Sequence, residues 1–116
     1  MAEYADVSKM RAISFGPFHL IPARQLLLDA DRPVKLGSRA LDILTILAER
    51  SGELVSKEEL TARVWPNGDI GEGNLRVHIA AVRPALGDRQ AGNRYVANVP
   101  GRGYRFIARV LISHQF

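Results

Sequence analysis

The strongest structural signal in the sequence is an apolar stripe at helical spacing in the second half of the chain. Four apolar residues occupy positions i, i+4, i+7 and i+11, which lie on one face of an α-helix. They are Leu75, Ile79, Val82 and Leu86. The spacing predicts a helix over about 72–86, ended by Gly87-Asp88, and other elements of the chain must cover its apolar face.

A β-hairpin is predicted after this helix. The runs 95–99 and 104–112 are rich in β-branched and aromatic residues, and Pro100-Gly101-Arg102-Gly103 lies between them. A turn of this composition between two extended runs is typical of a hairpin. Gly101 and Gly103 are expected to serve backbone geometry, because a glycine pair without a following helix is not a nucleotide-binding loop.

Two shorter helices are predicted before residue 72. The first covers about 38–51, with Ser38 as its N-cap and Gly52 beyond its end. The second opens at Ser56, and Glu59 three residues later completes the pattern of a capping box. The apolar side of this second helix consists of Leu60, Val64 and Trp65.

The N-terminal part of the chain predicts an antiparallel sheet. Short extended segments alternate with turn-forming residues, which is the spacing of a meander. The segments cover residues 13–15, 18–21, 25–28 and 33–36.

The domain limits follow from these elements. We expect a flexible lead-in over 1–12, one domain over 13–112, and a tail or the start of a linker over 113–116. A receiver domain would need about a hundred residues of its own, so any sensor is expected to follow the domain or to act in trans.

Composition excludes several classes of function. A chain of 116 residues, 47% of them hydrophobic, suits one compact domain. It has no cysteine, which excludes disulfides, thiolate metal sites and cysteine nucleophiles. The apolar runs are far shorter than the ~20 residues that cross a bilayer, and the N-terminus lacks a signal-peptide pattern. We therefore expect a cytoplasmic segment without membrane contact.

Charge is distributed unevenly along the chain. Residues 71–116 carry seven basic and two acidic residues, a net charge of +5, whereas residues 1–70 carry nine basic and ten acidic residues, a net charge of −1. This asymmetry indicates a polyanionic partner for the C-terminal part, since neutralising phosphates supplies much of the affinity for nucleic acid. An ordinary basic surface is the alternative.

Two short helices, an amphipathic third helix and a basic hairpin form the layout of a winged helix-turn-helix. Residues 33–106 resemble the OmpR/PhoB-type winged-helix domain of bacterial transcriptional regulators. The resemblance rests on Leu54-Val55-Ser56-Lys57-Glu58-Glu59-Leu60, Val64-Trp65, Val77-His78-Ile79, Ala85-Leu86-Gly87 and Gly101-Arg102-Gly103-Tyr104-Arg105-Phe106.

The resemblance implies an α+β fold with a four-stranded N-terminal antiparallel sheet, three helices and a C-terminal β-hairpin wing. It also implies a DNA-binding domain in which the third helix, about 72–86, enters the major groove and the wing, about 95–110, reaches the minor groove. The implied partners are double-stranded DNA, RNA polymerase through the loop 66–71, and a second copy in a tandem pair on DNA.

The third helix carries most of the candidate DNA contacts. On one flank of its stripe lie Arg76 and Arg83, our first choices for DNA contact. The other flank carries Asn74 and His78, where the resemblance implies phosphate and base contacts. The outward face between the flanks consists of Gly73, Val77, Ala80, Ala81 and Pro84.

This outward face is small and apolar. Relatives commonly carry arginine at the positions of Ala80 and Ala81. The absence of these arginines weakens the case for direct readout of base edges. Val77, Ala80 and Ala81 instead suit contacts with thymine methyl groups and recognition of DNA shape. Pro84 predicts a kink near Arg83, with a tolerated proline close to the helix end as the alternative.

The wing and the second helix add further candidates. Arg102 between two glycines is the best candidate for the minor groove. Asn98 joins the set, and Tyr104 either donates to a phosphate or packs its ring under the wing. The Trp65 ring is expected to pack in the core, while the resemblance implies an indole hydrogen bond to a phosphate.

Other classes of function find little support. The serines and carboxylates on the helices are explained as caps and solvated surface, so no catalytic residue or cofactor is assigned. His19, His78 and His114 are too scattered to form a metal site. The competing function is a protein-interaction module that uses the apolar outer face of the third helix.

Overall fold

The computed structural model describes residues 10–67, 72–88 and 95–114, apart from the side chains of residues 72 and 73. Within these residues, three α-helices, one short 3-10 helix (Pro22–Arg24) and two antiparallel sheets form the α+β arrangement that the sequence predicts. The helices are α1 (Ser38–Glu49), α2 (Lys57–Val64) and α3 (Glu72–Ala85).

The larger sheet has five strands in the order β4-β3-β2-β1-β8. Its strands are β1 (Ala12–Phe15), β2 (Phe18–Ile21), β3 (Leu26–Asp29), β4 (Arg32–Pro33) and β8 (Leu111–Ser113). The predicted strand over 33–36 is shorter than expected, since β4 ends at Pro33. The amide of Val34 still donates to the carbonyl of Leu27 in β3 at 2.8 Å, and Val34 and Leu36 pack against the core.

The four N-terminal strands form one sheet as predicted, and β8 adds a fifth strand at the edge of β1, whereas the prediction of one continuous strand over 104–112 is wrong. The hairpin strand stops at Phe106, and residues 107–110 lead to β8, which pairs with β1 through Ile13 and Ile112. On the way, the Ser51 hydroxyl donates to the carbonyl of Ala108 at 2.9 Å. An alternating pattern identifies extended chain, but it does not identify the strand that will pair with it.

The smaller sheet has three strands in the order β5-β7-β6. Its strands are β5 (Leu54–Ser56), β6 (Val96–Val99) and β7 (Gly103–Phe106). The hairpin β6–β7, called the wing below, is thereby attached to the strand that leads directly into α2. The wing is therefore held along its second strand by a third strand and is not an isolated hairpin.

The predicted stripe of α3 is buried, as its spacing requires. Leu75, Ile79, Val82 and Leu86 are at most 3% exposed and belong to the one core cluster of the described residues. An aromatic group from β1, β2, β7 and the residue before β6 belongs to the same core. It contains Phe15, Phe18, Tyr95 and Phe106, with neighbouring ring centroids 4.9–6.3 Å apart.

The two predicted serine caps have different outcomes. The Ser56 hydroxyl accepts a hydrogen bond from the amide of Glu59 at 3.0 Å, so this cap is confirmed. The prediction that Ser38 caps α1 is wrong, because Gly37 occupies the N-cap and no side chain bonds there. Ser38 is already the first helical residue, one position too late for its hydroxyl to cap.

The end of α3 is a Schellman motif with Gly87 in the left-handed conformation (φ 74°). The amide of Gly87 donates to Pro84 at 3.0 Å, and the amide of Asp88 donates to Arg83 at 2.7 Å. The helix continues through Pro84 and ends at Ala85, so Pro84 lies in the last turn and does not divide α3. Because Ala80 is exposed, water can reach the carbonyl that Pro84 leaves without a partner.

The sheet extends slightly beyond the predicted domain limits. Strand β1 begins at Ala12, which is fully buried, and β8 ends at Ser113. An ion pair between Arg11 and Glu49 ties the start of β1 to α1. Residues 1–9 of the predicted lead-in lie outside the described residues. Across 10–67, 72–88 and 95–114, no helix has the length and apolar character needed to span a bilayer.

Candidate nucleic-acid interface

The outward face of α3 is uncharged and open to solvent. Val77 is 63% exposed, so one large apolar side chain lies on the solvent side of a helix whose opposite face is buried. Ala80, Ala81 and Pro84 are also exposed and follow at helical spacing, so the four side chains form one continuous surface.

The first flank of α3 carries two arginines with different environments. Arg76 is exposed, as expected for a residue that contacts DNA. Arg83 is half-buried, and its Nη1 donates to the carbonyl of Val96 in the wing at 2.6 Å. The same nitrogen lies 3.9 Å from Oδ2 of Asp88. The sequence made Arg83 a first choice for DNA contact, but its guanidinium donates a hydrogen bond to another part of the protein.

The second flank of α3 faces α2. Asn74 is exposed, whereas His78 is half-buried against Trp65, with ring centroids 5.5 Å apart. Trp65 is 8% exposed, so the predicted core packing of its ring is observed. Arg39 of α1 donates to the carbonyl of Val64 at 3.0 Å and thereby supports the end of α2 beside this tryptophan. The hydrogen bond from the indole to a phosphate stays a prediction.

The tip of the wing is a tight turn. The amide of Arg102 donates to the carbonyl of Val99 at 3.0 Å, and Gly101 has a φ of 74°, as the third residue of a type II turn requires. The side chain of Arg102 is exposed, while its carbonyl accepts from the amide of Lys57 at 3.3 Å. The first residue of α2 therefore holds the wing tip close to the helices.

The two remaining wing candidates are opposite each other in the hairpin. Asn98 of β6 pairs with Tyr104 of β7. Tyr104 is 6% exposed and part of the core cluster, which favours ring packing over a phosphate contact, whereas Asn98 is exposed.

A cluster of charged residues joins the end of α1 to α2. Arg50 hydrogen-bonds to Glu59 and to Glu53, and these bonds raise the pKa of its guanidinium. The carboxylate of Glu59 therefore accepts a hydrogen bond from Arg50, while the backbone amide of Glu59 donates to the hydroxyl of Ser56. No group of three or more metal-ligating side chains lies together in the part of the chain that the structure describes.

Sequence reasoning missed one residue of this region, Asp88. Its carboxylate is buried and accepts hydrogen bonds from the amides of Tyr95 at 3.2 Å and Val96 at 3.0 Å. The sequence does contain a signal for this residue, since Asp88 is one of only two acidic residues in the basic segment 71–116. Of the loop predicted to contact RNA polymerase, Pro66 and Asn67 are exposed, and 68–71 lie outside the described residues.

Known proteins with similar sequences are transcriptional regulators. The family model described as "Transcriptional regulatory protein, C terminal" matches residues 31–106. The cholera toxin transcriptional activator of Vibrio cholerae is 36% identical over 84 residues, which are 71% of this chain and 29% of that protein. The transcriptional regulator HilA of Salmonella typhimurium is 34% identical over 86 residues, which are 74% of this chain and 15% of that protein. The chain thus spans less than a third of either relative.

Solved structures show the same fold. The DNA-binding domain of Escherichia coli CadC has a TM-score of 0.76 at 27% identity and covers 89% of this chain and 97% of that one. The DNA-binding domain of Escherichia coli CpxR has a TM-score of 0.72 at 26% identity and covers 83% of this chain and 95% of that one.

Proposed function

The chain belongs to the OmpR/PhoB-type family of transcriptional regulatory DNA-binding domains, and from this premise we propose that α3 enters the major groove while Arg102 enters the minor groove. The observation that carries this proposal is the division of α3 into two faces. One face lies in the core, and the other is exposed along its length, with Arg76 on one flank and Asn74 on the other. A helix of this kind fits the width of the major groove.

The readout follows from the chemistry of the exposed face. Val77, Ala80 and Ala81 offer no hydrogen bonds to base edges, but their methyl groups can pack against the methyl group of thymine. Arg102 supplies a cation to a narrow minor groove, which is a property of A-tracts. Both features favour A·T-rich target sites, read by apolar contact and by shape.

The test is a selection from random-sequence duplex DNA, followed by titrations at several salt concentrations. We expect enrichment of A·T-rich sites and an affinity that falls steeply with salt. The double substitution Arg76→Ala and Arg102→Ala should weaken binding to a selected site by about tenfold or more and lower the salt slope by about 1 to 2.

The matched control is Arg24→Ala with Arg32→Ala, which removes the same charge from exposed positions in the segment between β2 and β3 and in β4. This control should lose much less affinity, because general attraction to DNA falls but no groove contact is removed. Equal losses in the two double variants, or a failure to enrich any sequence, would contradict the proposal.

The exposed apolar face of α3 also supports the competing proposal of a protein-interaction module, since Val77 is 63% exposed. Under that proposal, partner binding would survive the loss of Arg76 and Arg102. We further propose that the loop 66–71 contacts RNA polymerase and that two copies bind DNA in tandem. The proposed domain covers 13–112 and acts in the cytoplasm. The family is one of transcription factors, and no enzymatic role is proposed.

A further inference from the structure

Three hydrogen bonds form a ring at the end of α3, and two of them join it to the first strand of the wing. The amide of Asp88 donates to the carbonyl of Arg83 at 2.7 Å, and Nη1 of Arg83 donates to the carbonyl of Val96 at 2.6 Å. The amide of Val96 donates to the carboxylate of Asp88 at 3.0 Å and closes the ring. We call these three residues the α3–wing latch.

The latch is built from two buried residues and one half-buried residue. The side chain of Asp88 is 1% exposed, Val96 is fully buried, and the side chain of Arg83 is 24% exposed. Burying a carboxylate is costly unless hydrogen bonds replace water, and here two backbone amides and a nearby guanidinium do so. Hydrogen bonds among buried charged groups are stronger and more sharply oriented than exposed ones. The latch is therefore suited to fix the position of the wing relative to α3.

The position of the latch in the chain indicates which geometry it fixes. Asp88 ends the segment that carries α3, and Tyr95 and Val96 begin the segment that carries the wing. The contacts thus tie together the two ends of the connection 89–94. The latch thus adds a direct contact between α3 and the wing to the pairing of β7 with β5.

We propose that Arg83 and Asp88 are positioning residues for DNA binding, which hold the wing at the spacing from α3 that simultaneous contact with two grooves requires. This inference rests on the proposed function. If α3 and Arg102 are held in place before binding, the second groove contact costs little additional entropy. Arg83 acts from within the protein in this arrangement, and Arg76 and Arg102 make the DNA contacts.

The direction in which one substitution changes the DNA affinity distinguishes this positioning role from a simple effect of charge. Asp88→Asn removes a negative charge from the basic part of the chain, which by charge alone should strengthen DNA binding. The latch predicts the opposite, because a neutral amide holds Arg83 less firmly and the wing loses its fixed position. We expect Asp88→Asn to weaken binding to a selected duplex about tenfold, a loss of about 1.4 kcal/mol.

A double-mutant cycle completes the test. In the unmodified chain Arg102→Ala should weaken binding clearly, whereas in the Asp88→Asn background it should add little. Arg83→Met, which keeps the apolar stem and removes the donor, should reproduce the effect of Asp88→Asn. The control Asp31→Asn changes the same charge at an exposed turn and should leave affinity equal or slightly higher. Unchanged or tighter binding by Asp88→Asn would overturn the inference.

A measurement without DNA separates the latch from the proposed function. Because the chain has no cysteine, Ala80→Cys and Arg102→Cys can carry two spin labels, one on α3 and one on the wing. The distribution of label distances should be narrow, and it should broaden on adding Asp88→Asn or Arg83→Met. An unchanged width refutes the latch, whereas a broadened width, together with no DNA binding by the unlabelled, unsubstituted chain, refutes only the proposed function.

Discussion

The backbones of Gly103 and Val55 are so close that a Cβ atom on Gly103 would lie 2.1 Å from the carbonyl oxygen of Val55. This contact joins β7 of the wing to β5, directly before α2. Gly101, two residues earlier, has open space around it and needs glycine for a different reason, its φ of 74°.

Substituting both glycines with asparagine separates these two reasons. Gly103→Asn should lower the free energy of unfolding by about 3 kcal/mol, since strand backbones must move apart. Gly101→Asn should cost less than about 1 kcal/mol, because asparagine tolerates the left-handed conformation. Denaturant unfolding measures both. Similar losses at the two positions would show that the approach to Val55 does not limit residue 103.

The two serines at the helix starts give a second matched pair. Ser56→Ala should lower the free energy of unfolding by about 1 kcal/mol, because it leaves the amide of Glu59 without its acceptor. Ser38→Ala should change it by less than about 0.5 kcal/mol, since the hydroxyl of Ser38 caps nothing. Thermal unfolding of both variants decides this. A larger effect at Ser38 would contradict the observed cap at Gly37.

The apolar face of α3 predicts sensitivity to the thymine methyl group. Replacing thymine with deoxyuracil at contacted positions of a selected site should weaken binding about fourfold per methyl group, the value of about 0.8 kcal/mol for one buried carbon. Val77→Ala should reduce this sensitivity at one position. Deoxyuracil outside the contacted site is the control and should have no effect. Equal affinity for both bases throughout would exclude methyl readout by Val77.

The pairing of β8 with β1 predicts the effect of shortening the chain. A chain that ends after residue 109 exposes the edge of β1 and the buried side chain of Ile13. Its Tm should fall by about 5 °C or more, corresponding to about 1 kcal/mol, and it should self-associate through the open edge. Calorimetry and sedimentation check both expectations, with a chain ending after residue 114 as the control. An unaltered Tm would mean that β8 contributes nothing to the sheet.

Much of the fold could be predicted because its signals are local. The stripe of α3 and the cap at Ser56 depend on residues within a few turns of one helix, and both are found as expected. The turn at Gly101 is equally local. The failure at Ser38 is a shift of one residue, the scale at which helix ends are least determined by sequence.

The candidate site was predictable in outline and not in its contacts. Helical spacing correctly placed Val77 outward and Arg76 at the edge of the exposed face. The same spacing placed Arg83 beside Arg76, and it gave no indication that Arg83 would turn toward the wing. A long flexible side chain near the boundary of a buried face has partners on either side, and periodicity cannot choose between them.

The sequence alone determined the three helices, the hairpin and the exposed apolar face of α3, because period and turn chemistry act between near neighbours. The tertiary structure decided the rest. It added β8 to the edge of β1 from the other end of the chain, and it joined Arg83 and Asp88 to Val96 across the connection 89–94. Such contacts depend on which distant backbone groups remain unpaired when the core closes, and no local pattern records that.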